Sequence, residues 1–368
     1  MSLVIANALL LIFVVVEIIL LAVSQRNIPW REIVFNLNSG HILMWVIRGL
    51  EVGIFHYLNT RWGLDLMASW PYWVTWVVAF VTWDFCFYWL HRLHHKYPWL
   101  WAVHVVHHEG EHYGLSLGIR NSWYSSLTSI PFFVALALLG VPVDIFLAVS
   151  SIHYMIQFYN HNGIVKKSGW LEKMMITPSH HKVHHGRNPE YIDKNFGGTL
   201  IIWDKLFGTF QPELADIPVD VGVNNYQRTD EVIQANNRPM LQLFGVRLKR
   251  RIKRERLRVP DWIIACAGLL LFGLLLVYIW YEQAGVGEVT PFLFWVIFMG
   301  TIATGGISEG RRWGVGLWCL IFLVSLPLAV INFPGLVVPL KLLALACFAH
   351  GCVLMIQSYR TAMASPTV

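Results

Sequence analysis

The sequence predicts an all-α, polytopic integral-membrane helical bundle that carries a histidine-rich cap. The 368-residue chain is 56% hydrophobic and only 14% charged, whereas a soluble domain carries about a quarter charged residues. Its 18 Trp, 21 Phe and 13 Tyr supply rings of the kind that gather at membrane interfaces. This composition excludes an ordinary soluble globule, a disordered chain and a secreted disulfide scaffold.

Nine apolar runs are predicted to be membrane-spanning helices, because about 20 mostly apolar residues cross the hydrocarbon core of a bilayer. The runs are 3–23, 41–58, 72–90, 121–139, 143–160, 260–281, 291–307, 313–331 and 335–357. They predict three regions: N-terminal membrane helices (1–70), a central region with a polar cap (71–259) and C-terminal membrane helices (260–368).

The basic residues predict the side of the membrane on which the cap lies. The densest positive block, R-L-K-R-R-I-K-R-E-R-L-R (247–258), directly precedes the apolar run 260–281. Lys and Arg beside a span mark its cytoplasmic end, so the cap is predicted to be cytoplasmic. In so apolar a chain, the net charge of +6 indicates contact with membrane lipids and not with nucleic acid.

Histidine is the unusual residue of this composition, since 15 of the 16 histidines lie before residue 186. Most of them form three clusters: H-R-L-H-H (91–95), H-V-V-H-H (104–108) and H-H-K-V-H-H (180–185). On a helix, residues three or four apart share a face, so each cluster presents a stripe of imidazoles. Isolated histidines such as His56 and His350 are expected to be structural.

The clustered histidines predict a site for two metal ions. Imidazoles packed together without a metal would bury polar nitrogens that each need a partner, and neutral imidazole is a common metal ligand at pH 7. Eight or more nitrogens exceed the four ligands of a structural zinc site. Imidazole suits iron, zinc, copper and nickel, so the clusters by themselves leave the element open.

The order and spacing of the three clusters resemble a known family. The third cluster lies within T-P-S-H-H-K-V-H-H-G-R-N-P-E-Y-I-D-K-N-F-G-G-T (177–199). The pattern resembles the fatty acid hydroxylase and sterol desaturase superfamily of integral-membrane di-iron oxygenases, and its third cluster is similar to the alkylglycerol monooxygenase branch. The resemblance implies a catalytic central region whose metal-binding and catalytic histidines are His91, His95, His104, His107, His108, His181, His184 and His185.

The resemblance also implies residues around this set. His161 corresponds to the second member of a further His-x3-His pair of related hydroxylases and is expected to be a ninth ligand. Gln157 stands at the first position of that pair, where its polar side chain is expected to bind an ion weakly or to hold a water. His180 is expected to orient a ligand. Independently of the resemblance, Asp84 lies seven residues before His91 and so on the same helical face, and an ionisable group at that depth is a functional candidate; a hydrogen bond from Asp84 to a ligand is expected.

Asp193 and Asn195 belong to a polar strip that follows the third cluster. In one interpretation they support the metal ligands or contact a lipid head group. In the other they form a polar loop that satisfies its own backbone.

The activity that the resemblance implies is hydroxylation of a lipid C–H bond by two iron ions and O2, with electrons from an external donor. In the alkylglycerol monooxygenase branch that donor is tetrahydrobiopterin, and the hydroxylated ether lipid separates into an aldehyde and glycerol. An alternative on the same scaffold is a hydroxylase or desaturase of a fatty acyl chain, a sterol or a carotenoid. A non-enzymatic alternative is a metal transporter or metal-binding membrane protein, and the sequence does not predict an oligomeric state.

Overall fold

The computed structural model describes residues 3–24, 27–39, 41–224, 228–246, 257–285, 287–332 and 335–364. Within these residues the regular structure is helical apart from two isolated β-bridges, Met175 with Leu200 and Gly186 with Val221. The predicted all-α class is therefore confirmed. Most of the basic block that predicts the orientation, residues 247–256, lies outside the described residues.

Fifteen α-helices are described. In chain order they are α1 (Leu3–Val23), α2 (Trp30–Asn38), α3 (His41–Trp62), α4 (Tyr72–Lys96), α5 (Pro98–His108), α6 (Ser125–Leu139), α7 (Val143–Asn160), α8 (Pro178–His184), α9 (Ile202–Leu206), α10 (Val232–Leu243), α11 (Asp261–Gln283), α12 (Thr290–Ser308), α13 (Arg312–Cys319), α14 (Leu326–Asn332) and α15 (Val338–Ala364). Two 3₁₀ turns cover Leu115–Ile119 and Gly169–Lys173, and a π-helical turn, Leu320–Ser325, joins α13 to α14.

Six helical stretches in the described chain are long and apolar enough to cross a membrane, which fits the predicted integral, multi-pass protein. They are Val4–Val23, Tyr72–Lys96, Asp261–Gln283, Thr290–Ser308, Arg312–Asn332 and Val338–Arg360.

The other three predicted spans coincide with helices that do not belong to this set. The helix α6 has 15 residues and is about 22 Å long, which is shorter than a hydrocarbon core of about 30 Å. The helix α3 carries the ion pair of Arg48 and Glu51, and α7 carries polar residues such as His153 and Gln157. The count of nine spans is therefore not reproduced, because length or polarity sets these three helices apart.

One compact unit contains Met1–Ile42, Arg228–Arg238 and Val246–Val368. Its helix α11 packs against α1, α2, α12 and α15. A Cβ on Gly268 would meet the side chain of Val34 at 2.8 Å. The missing side chain therefore lets α11 and α2 approach closely, as small residues do between membrane helices.

The other compact unit contains Leu43–Gln227 and Pro239–Gly245, and it holds all three histidine clusters. Its apolar core joins α3, α4, α6 and α7 through rings such as Phe55, Trp83, Phe133 and Phe146. The 25 residues of α4 are about 37 Å long, which exceeds the hydrocarbon thickness of about 30 Å. The last turns of α4, which bear the first cluster, can therefore emerge from the bilayer.

Candidate dinuclear metal centre

The structure brings nine of the predicted site histidines together in two groups. In each group the potential ligand atoms all lie within 4.8 Å of one another. The five-histidine group contains His91, His95, His104, His108 and His184, and the four-histidine group contains His107, His161, His181 and His185.

Helical spacing explains how the clusters divide between the two groups. Residues four apart lie on one helical face, and three such pairs each belong to one group: 91 with 95, 104 with 108, and 181 with 185. The fourth such pair, 180 with 184, is not grouped, because His180 lies outside both groups. Neighbouring histidines point about 100° apart around a helix. His107 and His108 therefore belong to different groups, as do His184 and His185.

Within each group the imidazoles face one another through their Nε2 atoms. The Nε2 atoms of His91 and His104 are 3.0 Å apart, and those of His108 and His184 are 3.1 Å apart. In the four-histidine group, the Nε2 of His161 lies 3.2 Å from that of His107 and 3.1 Å from that of His181. Two nitrogens each about 2.1 Å from one ion can adopt such separations.

Several of these facing nitrogens carry lone pairs and no proton. The Nδ1–H of His107 donates to the carbonyl of Arg120 at 2.8 Å, and the Nδ1–H of His161 donates to the carbonyl of Gln157 at 2.7 Å. In a neutral imidazole the other nitrogen is then an acceptor only, so two lone pairs face each other across 3.2 Å. A cation between them removes this repulsion, and the donor set therefore fits a bound metal.

A single loop orients three members of the five-histidine group. The Nδ1 atoms of His184 and His91 lie 2.8 Å from the carbonyls of Lys194 and Phe196, respectively. The Nδ1 of His95 lies 3.2 Å from the carboxylate of Asp193. Acceptors of this kind fix the tautomer and the ring orientation of metal-bound histidines.

Unusual backbone geometry shapes this loop, residues 193–197. Asp193 and Asn195 have positive φ angles of 59° and 54°, a conformation that Asp and Asn tolerate better than most residues. The side-chain amide of Asn195 donates to the backbone carbonyls of His180 and Gln211 at 2.9 and 2.7 Å. Asn195 thus ties the loop to α8, while Asp193 contacts a grouped histidine directly.

Asp204 anchors the loop from the other side, and the sequence analysis did not single it out. Its buried carboxylate accepts hydrogen bonds from the backbone N–H groups of Phe196 and Gly197 at 2.7 and 2.8 Å. It also accepts from the Thr209 hydroxyl at 2.7 Å. A Cβ on Gly197 would lie 2.8 Å from this carboxylate, which explains the glycine. The sequence does contain a signal for Asp204, since it is the one acid within the mostly apolar stretch I-I-W-D-K-L-F (201–207).

A buried ion pair supports the four-histidine group, and it too was missed. The guanidinium of Arg120 donates to the Glu109 carboxylate at 2.6 Å, with both side chains buried. The Nε of the same arginine donates to the carbonyl of Val106. The pair therefore fixes the 3₁₀ turn before Arg120 against the end of α5, where the Arg120 carbonyl meets His107.

Burial keeps the grouped imidazoles neutral at pH 7. Burial lowers the pKa of His107 to about 4, although the Arg120 carbonyl opposes the shift. Burial and then the neighbouring histidines hold the pKa of His108 and His185 well below the usual range. Neutral imidazole is the form that binds metals.

Asp84 is fully buried, but its partners differ from the expected ones. It accepts hydrogen bonds from the N–H groups of Thr199 and Leu200 at 2.9 and 3.0 Å and from the indole of Trp203 at 2.9 Å. The histidine nearest to it is His153, at 3.5 Å, which belongs to neither group. Asp84 therefore holds the segment after the loop against α4, and its described hydrogen bonds include no grouped histidine.

Two other predicted residues act through their backbone. Gln157 offers its carbonyl to His161. His180 lies outside both groups: its Nδ1 is 3.3 Å from the Thr177 hydroxyl, and its carbonyl accepts from Asn195.

Comparison with known proteins agrees with this geometry. Residues 76–209 match the family model for fatty acid hydroxylase. The chain is 38% identical over 212 residues to alkylglycerol monooxygenase of Danio rerio, covering 54% of this chain and 46% of the relative. It is 40% identical over 166 residues to the human protein of that name, covering 45% and 37%.

A bacterial relative, ornithine lipid hydroxylase OlsE of Rhizobium tropici, is 30% identical over 160 residues, covering 42% of this chain and 47% of the relative. The chain thus spans less than half the length of these three relatives. No solved structure matches it. The match to the fatty acid hydroxylase family model covers both histidine groups and the loop that orients them.

Proposed function

We propose that this protein is an integral-membrane di-iron monooxygenase that hydroxylates a C–H bond of a lipid with O2. The observation that carries the proposal is the division of nine buried histidines into groups of five and four. Each group offers enough inward-facing nitrogens for one ion, and the family match supports the same chemistry.

The donor set favours iron over zinc. Structural zinc takes four protein ligands and catalytic zinc usually three, and zinc has no redox chemistry. Five imidazoles in one group exceed both numbers, whereas imidazole also suits iron. Iron held there by the grouped Nε2 atoms would supply the electron transfer that O2 activation requires.

The chain itself contributes positioning and the exclusion of water. The carbonyls of Arg120, Gln157, Lys194 and Phe196 hold the Nδ1 protons and so direct the Nε2 lone pairs inward. His107, His161 and His185 are almost fully buried, which keeps bulk water away from the reacting atoms.

We propose an ether lipid as the substrate and a cytoplasmic location for the metal site. The support for the substrate is the name of the relatives, alkylglycerol monooxygenase, together with an external donor such as tetrahydrobiopterin. The support for the location is the basic block at 247–258, since basic residues beside a span favour the cytoplasmic side.

Metal content and turnover together test the iron proposal. Purified protein loaded with iron should bind about two ions, as the two ligand groups require. His107→Ala should lower the metal content toward one ion and abolish oxygen-dependent product formation, because one ligand of the four-histidine group is lost. The exposed His56 provides the matched control, His56→Ala, which should retain both ions and full activity. Full activity of His107→Ala, or turnover with zinc and without O2, would contradict the proposal.

The substrate is tested separately. An alkylglycerol with added tetrahydrobiopterin should release a fatty aldehyde. No turnover there, with turnover of a fatty acyl lipid or a sterol, would favour the other hydroxylase or desaturase activity. Metal uptake into vesicles without any oxidation of lipid would favour transport.

A further inference from the structure

One surface of the histidine-bearing unit combines exposed apolar side chains with lysines. It is formed by residues 164–174 and α9. Its most exposed apolar residues are Trp170 (68%), Leu206 (66%), Met174 (59%) and Ile202 (54%). The exposed lysines beside them are Lys166, Lys167, Lys173 and Lys205. Of the two acids in these segments, Asp204 is buried, and Glu172 accepts a hydrogen bond from the Ser168 N–H and lies 3.9 Å from Lys167.

These residues form one continuous surface, because the two segments are joined. The N–H of Ile201 donates to the carbonyl of Met174 at 3.1 Å, and the amino group of Lys205 donates to the carbonyl of Lys173 at 2.9 Å. Ile202 and Leu206 are four residues apart and therefore share one face of α9.

The contacts of α9, and of Phe207 directly after it, relate this surface to the candidate span of α4. Trp203 packs on Phe85 with ring centroids 5.0 Å apart, and Phe207 packs on Trp89 at 5.0 Å. These positions of α4 lie about 20 and 26 Å along the helix from Tyr72, inside the candidate span Tyr72–Lys96. If Tyr72 lies at the opposite boundary of a hydrocarbon core about 30 Å thick, these contacts lie about 4–10 Å inside the nearer boundary, a depth typical of helices that lie in the membrane plane.

We propose that residues 164–174 and α9 form an interfacial docking surface for anionic phospholipids. The apolar side chains enter the boundary of the acyl chains, as in helices that lie in the membrane plane. Lys166, Lys167 and Lys173 extend their stems over this surface and reach the phosphates, whereas the amino group of Lys205 joins the two segments. The excess of lysines over acids favours an anionic bilayer, and the bulky apolar side chains at bilayer depth favour a bilayer over a soluble protein.

Chemical footprinting of lysines tests the proposal and needs no bound metal, so its failure is distinct from failure of the oxygenase proposal. The full chain is placed in nanodiscs of phosphatidylcholine, with or without phosphatidylglycerol, and treated with an amine-reactive reagent. Reactivity of Lys166 and Lys173 should fall about fivefold when the anionic lipid is present, since each lysine gains about 1 kcal/mol near an anionic surface. Lys182, which pairs with Glu213 outside this surface, should change little.

Two variants separate docking from a general effect of lipid. Trp170→Glu/Leu206→Glu alters only exposed side chains and should keep its unfolding temperature in detergent while losing the protection of Lys173 in nanodiscs. Ile192→Glu, at an exposed apolar residue outside the surface, should retain that protection. Equal lysine reactivity in both kinds of nanodisc would overturn the proposal.

Discussion

The two histidine groups lie side by side but are supported differently. In the five-histidine group, His91, His95 and His184 all bond through Nδ1 to one loop, residues 193–197. In the four-histidine group, His107 and His161 bond to separate backbone carbonyls of Arg120 and Gln157. No partner is described for the buried Nδ1 atoms of His181 and His185.

The two groups therefore depend on different parts of the fold. The five-histidine group depends on one loop that Asp204 and Asn195 tie to distant residues. The four-histidine group depends on the ends of α5 and α7 and has one ligand fewer. Since bonded Nδ1 partners strengthen metal ligands, we expect the four-histidine group to release its ion first when a chelator is added.

The largest expected effect is on the free energy of unfolding, and it comes from replacing Arg120 in the buried pair of Arg120 and Glu109. Arg120→Met leaves a buried carboxylate without its cation, which costs about 3–5 kcal/mol, and loosens the turn that carries the acceptor of His107. Metal-free protein in detergent should therefore unfold at lower denaturant concentration. Arg120→Met/Glu109→Gln should recover much of the loss. An unchanged unfolding free energy in the single variant would show that the pair does not support this side of the centre.

A smaller effect is expected from replacing Asp204, and it concerns the metal affinity of the five-histidine group. Asp204→Asn keeps the shape but offers one acceptor oxygen, so a buried N–H of Phe196 or Gly197 loses its partner, at a cost of about 1–3 kcal/mol. The loop then holds His91, His95 and His184 less firmly. Chelator titration should show a metal affinity of the five-histidine group about 10–100-fold lower, the usual effect of losing support around metal ligands.

The exposed Asp216 provides the control for this change. Asp216→Asn is the same chemical change at an exposed position outside the loop. It should leave the metal affinities of both groups unchanged. Equal weakening of both groups by Asp204→Asn would mean that the loop supports the whole centre and that the two groups are not independent.

The smallest expected effect tests whether the four-histidine group releases its ion faster because it has one ligand fewer. Gln157 lies one helical turn before His161, so Gln157→His places another imidazole on the same face of α7. Loss of metal from the four-histidine group to a chelator should become about tenfold slower if that ring binds the ion. Gln157→Leu, which keeps the backbone carbonyl that accepts from His161, should change little. Faster loss in Gln157→His would mean that the added ring displaces an existing ligand.

The sequence by itself determined the helical membrane class and the histidines that come together. Both follow from local rules: apolar runs need helices to satisfy their backbone in lipid, and residues four apart share a helical face. The same spacing rules would also pair 180 with 184 and 104 with 107, so the division into two groups was decided by the fold.

Only the tertiary structure decided what holds these rings in place. Asp84 was expected to bond a ligand but instead holds the segment at Thr199, Leu200 and Trp203. Asp204 and Arg120 carry no motif, yet they fix the acceptors of His91 and His107. Hydrogen bonds to backbone carbonyls depend on which loop folds against which helix, and residue spacing does not encode that choice, because any residue provides the same carbonyl.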